Sequence, residues 1–279
     1  MLAVAFGLAS SVAWGVSDFL GGLKSRSLNL LSVLLISQAI GLLPLVVIVA
    51  LRGEPLPGDA GPLWAALGGL AGVVGLASFY RGLAVGAMAV VAPISGLAAT
   101  IPVAVGVATG ERPSGLQAAG VVVALAGVVL ASREPKESGE GARVATGVGF
   151  ALLSALGFGC FFVGLDAGSE NDIWWALLFV RGASLSALVV AALALRPPLA
   201  LGRTDVAALV TIGVLDVTAN GLFAAAANEG LVSVVAVLGS LYPVVTVLLA
   251  RVVLRERVRR LQQVGVVTAL CGVVLIAAG

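Results

Sequence analysis

The sequence has 279 residues, of which 60% are hydrophobic and 11% are charged, and its mean hydropathy is +1.14. A water-soluble domain carries roughly 25% charged residues because its surface must face water, so most of this surface must face lipid. A net charge of +2, without basic stretches interleaved with aromatic residues, argues against a nucleic-acid partner. The absence of histidine and of metal-binding or nucleotide-binding motifs predicts no cofactor, no metal site and no catalytic residues.

Ten apolar segments are each long enough to cross a hydrocarbon core of roughly 30 Å, which takes about 20 helical residues. In chain order they are 2–21, 30–51, 62–83, 87–108, 115–132, 145–165, 174–195, 205–228, 232–253 and 260–278. No basic stretch precedes the first segment, so we interpret it as a retained span and not as a cleaved signal peptide. The sequence therefore predicts an all-α membrane protein of about ten transmembrane helices.

The two halves of the sequence repeat one another at a spacing of 145 residues. Glu111–Leu130 aligns with Glu256–Leu275 without a gap, and 13 of the 20 positions are identical. Shared Val and Leu prove little in apolar helices, but Glu-Arg, Leu-Gln and two glycines also coincide. We therefore predict a five-helix repeat at 1–132, a linker at 133–144 and a second five-helix repeat at 145–279.

An odd number of helices in each repeat means that the two copies cross the membrane in opposite senses. Such inverted repeats are typical of secondary transporters, in which the solute site lies in a central cavity between the halves. Of the 16 Lys and Arg residues, thirteen lie in or beside loops that follow odd-numbered spans, two follow even-numbered spans, and Arg181 lies inside a span. Because Lys and Arg stay on the cytoplasmic side, both termini are predicted to be non-cytoplasmic in the cell membrane.

Two charged residues are placed well inside predicted spans. Arg181 lies in the seventh span and Asp216 halfway along the eighth, with Asn220 one turn further on the same helix face. Such residues cost ~2.5–3.5 kcal/mol at a helix centre and usually face a cavity or one another. We predict that this patch binds a charged solute or a coupling proton; an ion pair that joins two helices is the alternative, and the two are compatible.

Further polar and aromatic residues complete the predicted substrate-binding site. Trp14 and Asp18 share one face near the end of the first span, where they either line a cavity mouth or reach the membrane interface. The other candidates can hydrogen-bond to a solute or, alternatively, to a neighbouring helix; they are Gln38, Tyr80, Ser240 and Tyr242.

Two short motifs resemble the drug/metabolite transporter superfamily in its EamA-like branch. The second half reads Tyr242-Pro243, then Arg255-Glu256-Arg257 and Gln262; the first half reads Gly110-Glu111-Arg112 and Gln117, with Ala98 in place of the proline. The resemblance covers nearly the whole chain. It implies ten helices around a central cavity and movement of metabolites, often amino acids or related compounds, commonly as export. We interpret Glu111 and Glu256, which lie beside arginines, as loop or helix-end anchors whose charges reach the headgroup region.

The sequence thus predicts a secondary transporter that moves a small organic solute by alternating access without ATP. Pro93, Pro102 and Pro243 interrupt predicted spans and are candidate bending points. Its partners are the solute and the lipid bilayer, while a coupling ion or proton and the oligomeric state stay open. One alternative is an intramembrane enzyme that acts on a lipid-linked substrate, which would need clustered carboxylates or a metal site. Another is a non-transporting membrane scaffold, which would lack polar groups paired at one depth.

Overall fold

The computed structural model describes residues 1–85, 91, 95–131, 141–198, 201–253 and 260–278, and every regular element in these ranges is a helix. The first half contains α1 (Leu2–Lys24), α2 (Leu30–Arg52), α3 (Gly61–Val85), a 3₁₀ turn (Leu97–Ala99), α4 (Thr100–Thr109) and α5 (Gly115–Ala131). The second half contains α6 (Gly141–Ser169), α7 (Ile173–Leu195), α8 (Arg203–Glu229), α9 (Val232–Gly239), α10 (Tyr242–Val253) and α11 (Arg260–Ala278).

Polar residues between the apolar stretches set the helix ends. Asn29 accepts a hydrogen bond from the backbone N–H of Leu31 at the start of α2. Helix α2 ends at Arg52, directly before Gly53, whose φ of 63° is left-handed. Asp172 accepts from the amides of Trp174 and Trp175 at the start of α7. These side chains satisfy amide groups that a helix leaves free at its first turn.

The predicted count of ten spans is not confirmed. Within the described residues, six helices are long and apolar enough to cross a membrane: α1, α2, α3, residues 149–169 of α6, α7 and α8. Shorter apolar helices cover 97–109, 115–127 and 232–246. Hydropathy does not detect the breaks in two predicted spans: the 3₁₀ turn before α4, and residues 240–241 between α9 and α10.

Pro102 and Pro243 lie beside these breaks, each in the first turn of the helix that follows the break. Pro102 is the third residue of α4, and Pro243 is the second residue of α10. A first helical turn tolerates proline because its missing N–H would have had no partner within that helix. Pro93 and Glu256 lie outside the described residues.

The two halves pack on each other reciprocally. Helix α1 packs on α8, and α3 packs on α6, so the first helix of each half contacts the third helix of the other half. The second helices, α2 and α7, contact each other, as do the fifth helices, α5 and α11. This mutual pattern is the one that an approximate two-fold axis produces. The fold is therefore an all-α arrangement of two repeats.

Glycines allow the α3–α6 pair to approach closely. A Cβ atom on Gly157 would lie 2.7 Å from the Cα of Gly75, and one on Gly164 would lie 2.7 Å from the Cα of Gly68. Both distances are shorter than real Cβ contacts, so larger residues would push the helices apart. Small residues of this kind promote helix association in membranes by increasing van der Waals contact.

Candidate functional site

A cavity of about 530 Å³, counted with its open part, lies between helices of the two halves. Helices α1, α2 and α3 of the first half and α6, α7, α8 and α10 of the second half contribute its wall. Spaces between packed helices are common places for small-molecule sites. Seven of the nine residues predicted from the sequence line the cavity: Trp14, Asp18, Gln38, Arg181, Asp216, Asn220 and Tyr242.

Arg181 is the central charged group of the cavity. Its Nη2 atom lies 2.5 Å from Oδ2 of Asp216, and its Nη1 atom donates a hydrogen bond to Oε1 of Gln38. The side chain of Arg181 is 2% exposed and that of Asp216 is 18% exposed. The ion pair between Arg181 and Asp216, one of the two interpretations of the sequence, is therefore present in the structure. Gln38 adds a neutral acceptor from the other half.

Gly41 of helix α2 lies beside this guanidinium group. A Cβ atom on Gly41 would lie 3.4 Å from Nε of Arg181, so helix α2 runs close beside the Arg181 side chain. The Nε atom is buried and has no hydrogen-bond partner among the described residues. One guanidinium N–H of Arg181 thus has no acceptor among the described residues.

Asp18 lies in the wall of the cavity. Helix α1 continues to Lys24, and Asp18 is only 7% exposed, which favours the cavity position over the membrane interface for this residue. The hydroxyl of Tyr80 donates a hydrogen bond to Oδ1 of Asp18 at 3.3 Å. Tyr80 therefore contacts Asp18 from α3 without lining the cavity itself. In the part of the chain that the structure describes, no group of three His, Cys, Asp or Glu residues could hold a metal ion.

Trp14 is buried among aromatic rings, which favours the cavity position for it as well. Its Nε1 atom donates a hydrogen bond to Oδ1 of Asn220 at 3.0 Å, so α1 and α8 share a buried polar contact. Its ring centroid lies 5.5 Å from that of Phe162 and 5.7 Å from that of Phe223. Trp14 is thus held in a fixed orientation against the cavity.

Tyr242 and Ser240 flank the break between α9 and α10. The Tyr242 ring contacts Phe79 and Phe158 edge-on, with centroid distances of 6.0 Å and 6.2 Å. Its hydroxyl is buried without a hydrogen-bond partner among the described residues. Ser240 is fully buried and does not line the cavity, so the structure does not bring it to the solute site.

An aromatic surface on α6 was missed at the level of sequence. Phe158, Phe161 and Phe162 line the cavity beside the predicted residues. Their spacing of three and four residues places them on one helix face, which is the signal that could have identified them. Ser184, one turn beyond Arg181, also lines the cavity and donates to the carbonyl of Gly69 at 2.8 Å.

Two ion pairs outside the cavity join the halves near the helix ends. Nζ of Lys24 lies 2.7 Å from Oδ1 of Asp205, and Nη2 of Arg52 lies 2.8 Å from Oδ2 of Asp172. Partial burial favours a higher pKa for Asp172, but hydrogen bonds from Arg52 and from the two capped amides of α7 outweigh it. The pKa of Asp172 consequently lies below its usual value.

Comparison with known proteins supports the fold and gives the family. One crystal structure matches 98% of this chain and 95% of its own, with a TM-score of 0.77 at 19% identity, which shows a shared fold alone. A search of curated proteins gives no significant match. The profile of the EamA-like transporter family matches residues 1–133 and 145–278. These matches cover most of the sequence, and this multi-pass membrane protein belongs to the EamA-like transporter family.

Proposed function

We propose that this chain is a secondary transporter, which carries a small charged organic metabolite through the central cavity without ATP. The main support is the position and chemistry of that cavity. It lies between two repeats, where secondary transporters bind their solutes, and it contains both a guanidinium group and carboxyl groups. A non-transporting scaffold would not need charged groups that line a cavity at a shared depth in the membrane.

The cavity favours a solute with groups of both charges and an apolar portion. Arg181 has a free Nε–H for an anionic group, while Asp18 has a hydroxyl donor but no ion pair among the described residues. The rings of Trp14 and Phe161 offer contact to apolar groups and attract cations over their faces. Amino acids and related metabolites carry this combination of groups. Asp18 could equally take a coupling proton in exchange for a cationic group.

Alternating access would move the two predicted repeat units, 1–132 and 145–279, against each other. The breaks at the 3₁₀ turn and at residues 240–241 provide places where the backbone can bend. Tyr242, directly after the second break, lines the cavity, so a change of angle there would alter the cavity wall. We propose export from the cell as the direction, following the family resemblance.

The test is transport by the purified protein in sealed vesicles. Vesicles loaded with a mixed metabolite pool and lacking ATP should release particular metabolites, identified by mass spectrometry, faster than protein-free vesicles. Asp18→Asn should abolish this release, and Asp59→Asn, the same chemical change in an exposed loop, should leave it intact. No movement together with modification of a lipid would establish the intramembrane enzyme, and no movement without modification would favour the scaffold.

A further inference from the structure

The first copy of the Glu-Arg motif, Glu111-Arg112, does not line the cavity, and the structure gives Glu111 a separate contact. Glu111 follows directly after the end of α4, where Gly110 has a left-handed φ of 108°. The N–H of Glu111 donates to the carbonyl of Gly106 at 2.9 Å, and the N–H of Gly110 donates to that of Val107 at 3.3 Å. This pair of bonds closes the helix end and fixes the backbone of Glu111.

The half-buried Glu111 side chain caps a helix of the other repeat. Its Oε1 atom accepts from the amide of Val232 at 2.6 Å, and its Oε2 atom accepts from the amide of Ser233 at 3.2 Å. These are the first two amides of α9, whose own N-cap residue, Leu231, supplies no side-chain hydrogen bond. The carboxylate satisfies both donors and complements the positive end of the helix dipole.

Helix α9 connects this contact to the cavity. All eight of its residues are buried, and at 1.5 Å per residue it is about 12 Å long. A Cβ atom on its last residue, Gly239, would lie 3.2 Å from the Trp14 ring. The chain then passes through the break to Tyr242. One short, buried helix thus extends from Glu111 to two residues of the cavity wall.

We propose that Glu111 is a positioning residue for transport, which holds α9 from the opposite repeat and thereby sets the places of Trp14 and Tyr242. The proposal rests on the transport function above. Movement of one repeat against the other must lengthen the bonds between Glu111 and the α9 amides. A carboxylate on a flexible side chain can release these amides and bind them again, so the contact can break and re-form in each cycle.

The position of α9 can be followed without a solute. Cys160 and Cys271 are exposed, so both are first changed to serine. A reporter cysteine is then placed at Ser233, which is 1% exposed and whose hydroxyl makes no hydrogen bond among the described residues. The matched control reporter is Ser154→Cys, on α6, at an equally buried and unpartnered serine. The full chain is placed in lipid nanodiscs, and the rate of labelling by a water-soluble maleimide is measured.

Two independent changes should remove the contact. Glu111→Ala deletes the carboxylate. Gly106→Ala leaves it present but displaces it, because a Cβ at 106 would overlap the Glu111 carboxylate, which is the far end of a flexible side chain. Both should speed labelling at 233 by at least about tenfold, the effect of losing one charge-assisted hydrogen bond. Glu111→Gln keeps one acceptor and should give a smaller increase. Labelling at 154 should not change.

The outcomes separate this proposal from the transport proposal. Unchanged labelling at 233 in both variants would overturn the positioning role, even if vesicles release metabolites. Equal acceleration at 233 and 154 would show general loosening and would overturn it too. Acceleration at 233 alone supports the contact with α9. If vesicles of the unmodified protein then move nothing, the transport function fails while the contact stands.

Discussion

Removal of Asp216 should destabilise the protein more than removal of its partner Arg181, and removal of both should cost least. Asp216→Ala leaves a guanidinium group that is 2% exposed and that cannot lose its proton, with only the neutral Gln38 as acceptor. Breaking a buried pair in this way costs about 3–5 kcal/mol. Arg181→Ala leaves a carboxylate that is 18% exposed and can be neutralised by a proton, so about 1–3 kcal/mol is expected.

The double change to Ala removes both charges, and its main residual cost is the unpaired Gln38 amide, about 1 kcal/mol. The three variants are compared by monodisperse yield and by thermal unfolding in one detergent. Lys24→Ala is the control, since the Lys24–Asp205 pair is 20% exposed on both sides and should be worth at most about 1 kcal/mol. The same variants are assayed for metabolite release, which all changes at 181 and 216 should abolish.

Each alternative result has a definite meaning. Costs of the two single changes that simply add in the double variant would refute the coupling between Arg181 and Asp216. Full transport by the double variant would make the pair purely structural. Normal yield and normal transport in both single variants would show that these residues neither pair in the membrane nor touch the solute.

Three further predictions concern other parts of the molecule. Asp172→Ala removes a helix cap and an ion pair to Arg52, and should cost about 1 kcal/mol at pH 7 by thermal unfolding. The pKa of Asp172 is lower in the folded protein than in the unfolded chain, where it is about 4. The ionised carboxylate therefore stabilises the folded protein fully above about pH 4, and this stabilisation is lost as pH falls through the folded pKa. The difference in stability between Asp172→Ala and the wild type should consequently shrink in acid. Tyr80→Phe removes the hydroxyl donor of Asp18 and should raise the KM of transport by up to about tenfold with unchanged yield; an unchanged KM would count against a role for Asp18. A periplasm-active phosphatase fused after Gly279 should work and a cytoplasm-only fluorescent reporter should stay dark, whereas the reverse result would invert the topology.

The residues that line the cavity were predicted from the sequence more accurately than the number and ends of the helices. Arg181, Asp216 and Asn220 were identifiable because a charge or amide inside an apolar span needs a partner or a cavity. Hydropathy could not show the break at residues 240–241, since it measures composition and not backbone hydrogen bonds. The repeat did contain a signal: at its spacing of 145 residues Ser240 aligns with Ser95, and both are buried serines beside a break.

Polar residues in apolar helices do not reveal which way they face. Ser240 was placed at the solute site but is buried at the break, and Tyr80 reaches the cavity only through Asp18. Gln117, the first copy of the glutamine in the repeated motif, makes hydrogen bonds at the start of its own helix. Oε1 of Gln117 accepts from the amide of Ser114 at 3.0 Å, while Oγ of Ser114 accepts from the amide of Gln117 at 3.1 Å. These reciprocal bonds form a capping box at the start of α5, so the motif stabilises a helix end.

The polar contacts differ in strength according to which parts of the fold they join. The buried Arg181–Asp216 pair lies within the second repeat, where alternating access need not disturb it. The Lys24–Asp205 and Arg52–Asp172 pairs join the two repeats and are partly exposed. Each should therefore stabilise the protein by at most about 1 kcal/mol, and contacts with water can replace it at little cost in free energy. The Glu111 contact also joins the repeats but accepts two amides of a buried helix. Because its charge serves two amides of a buried helix, breaking it should cost more than breaking either of these two ion pairs, and enough to affect the rate of transport.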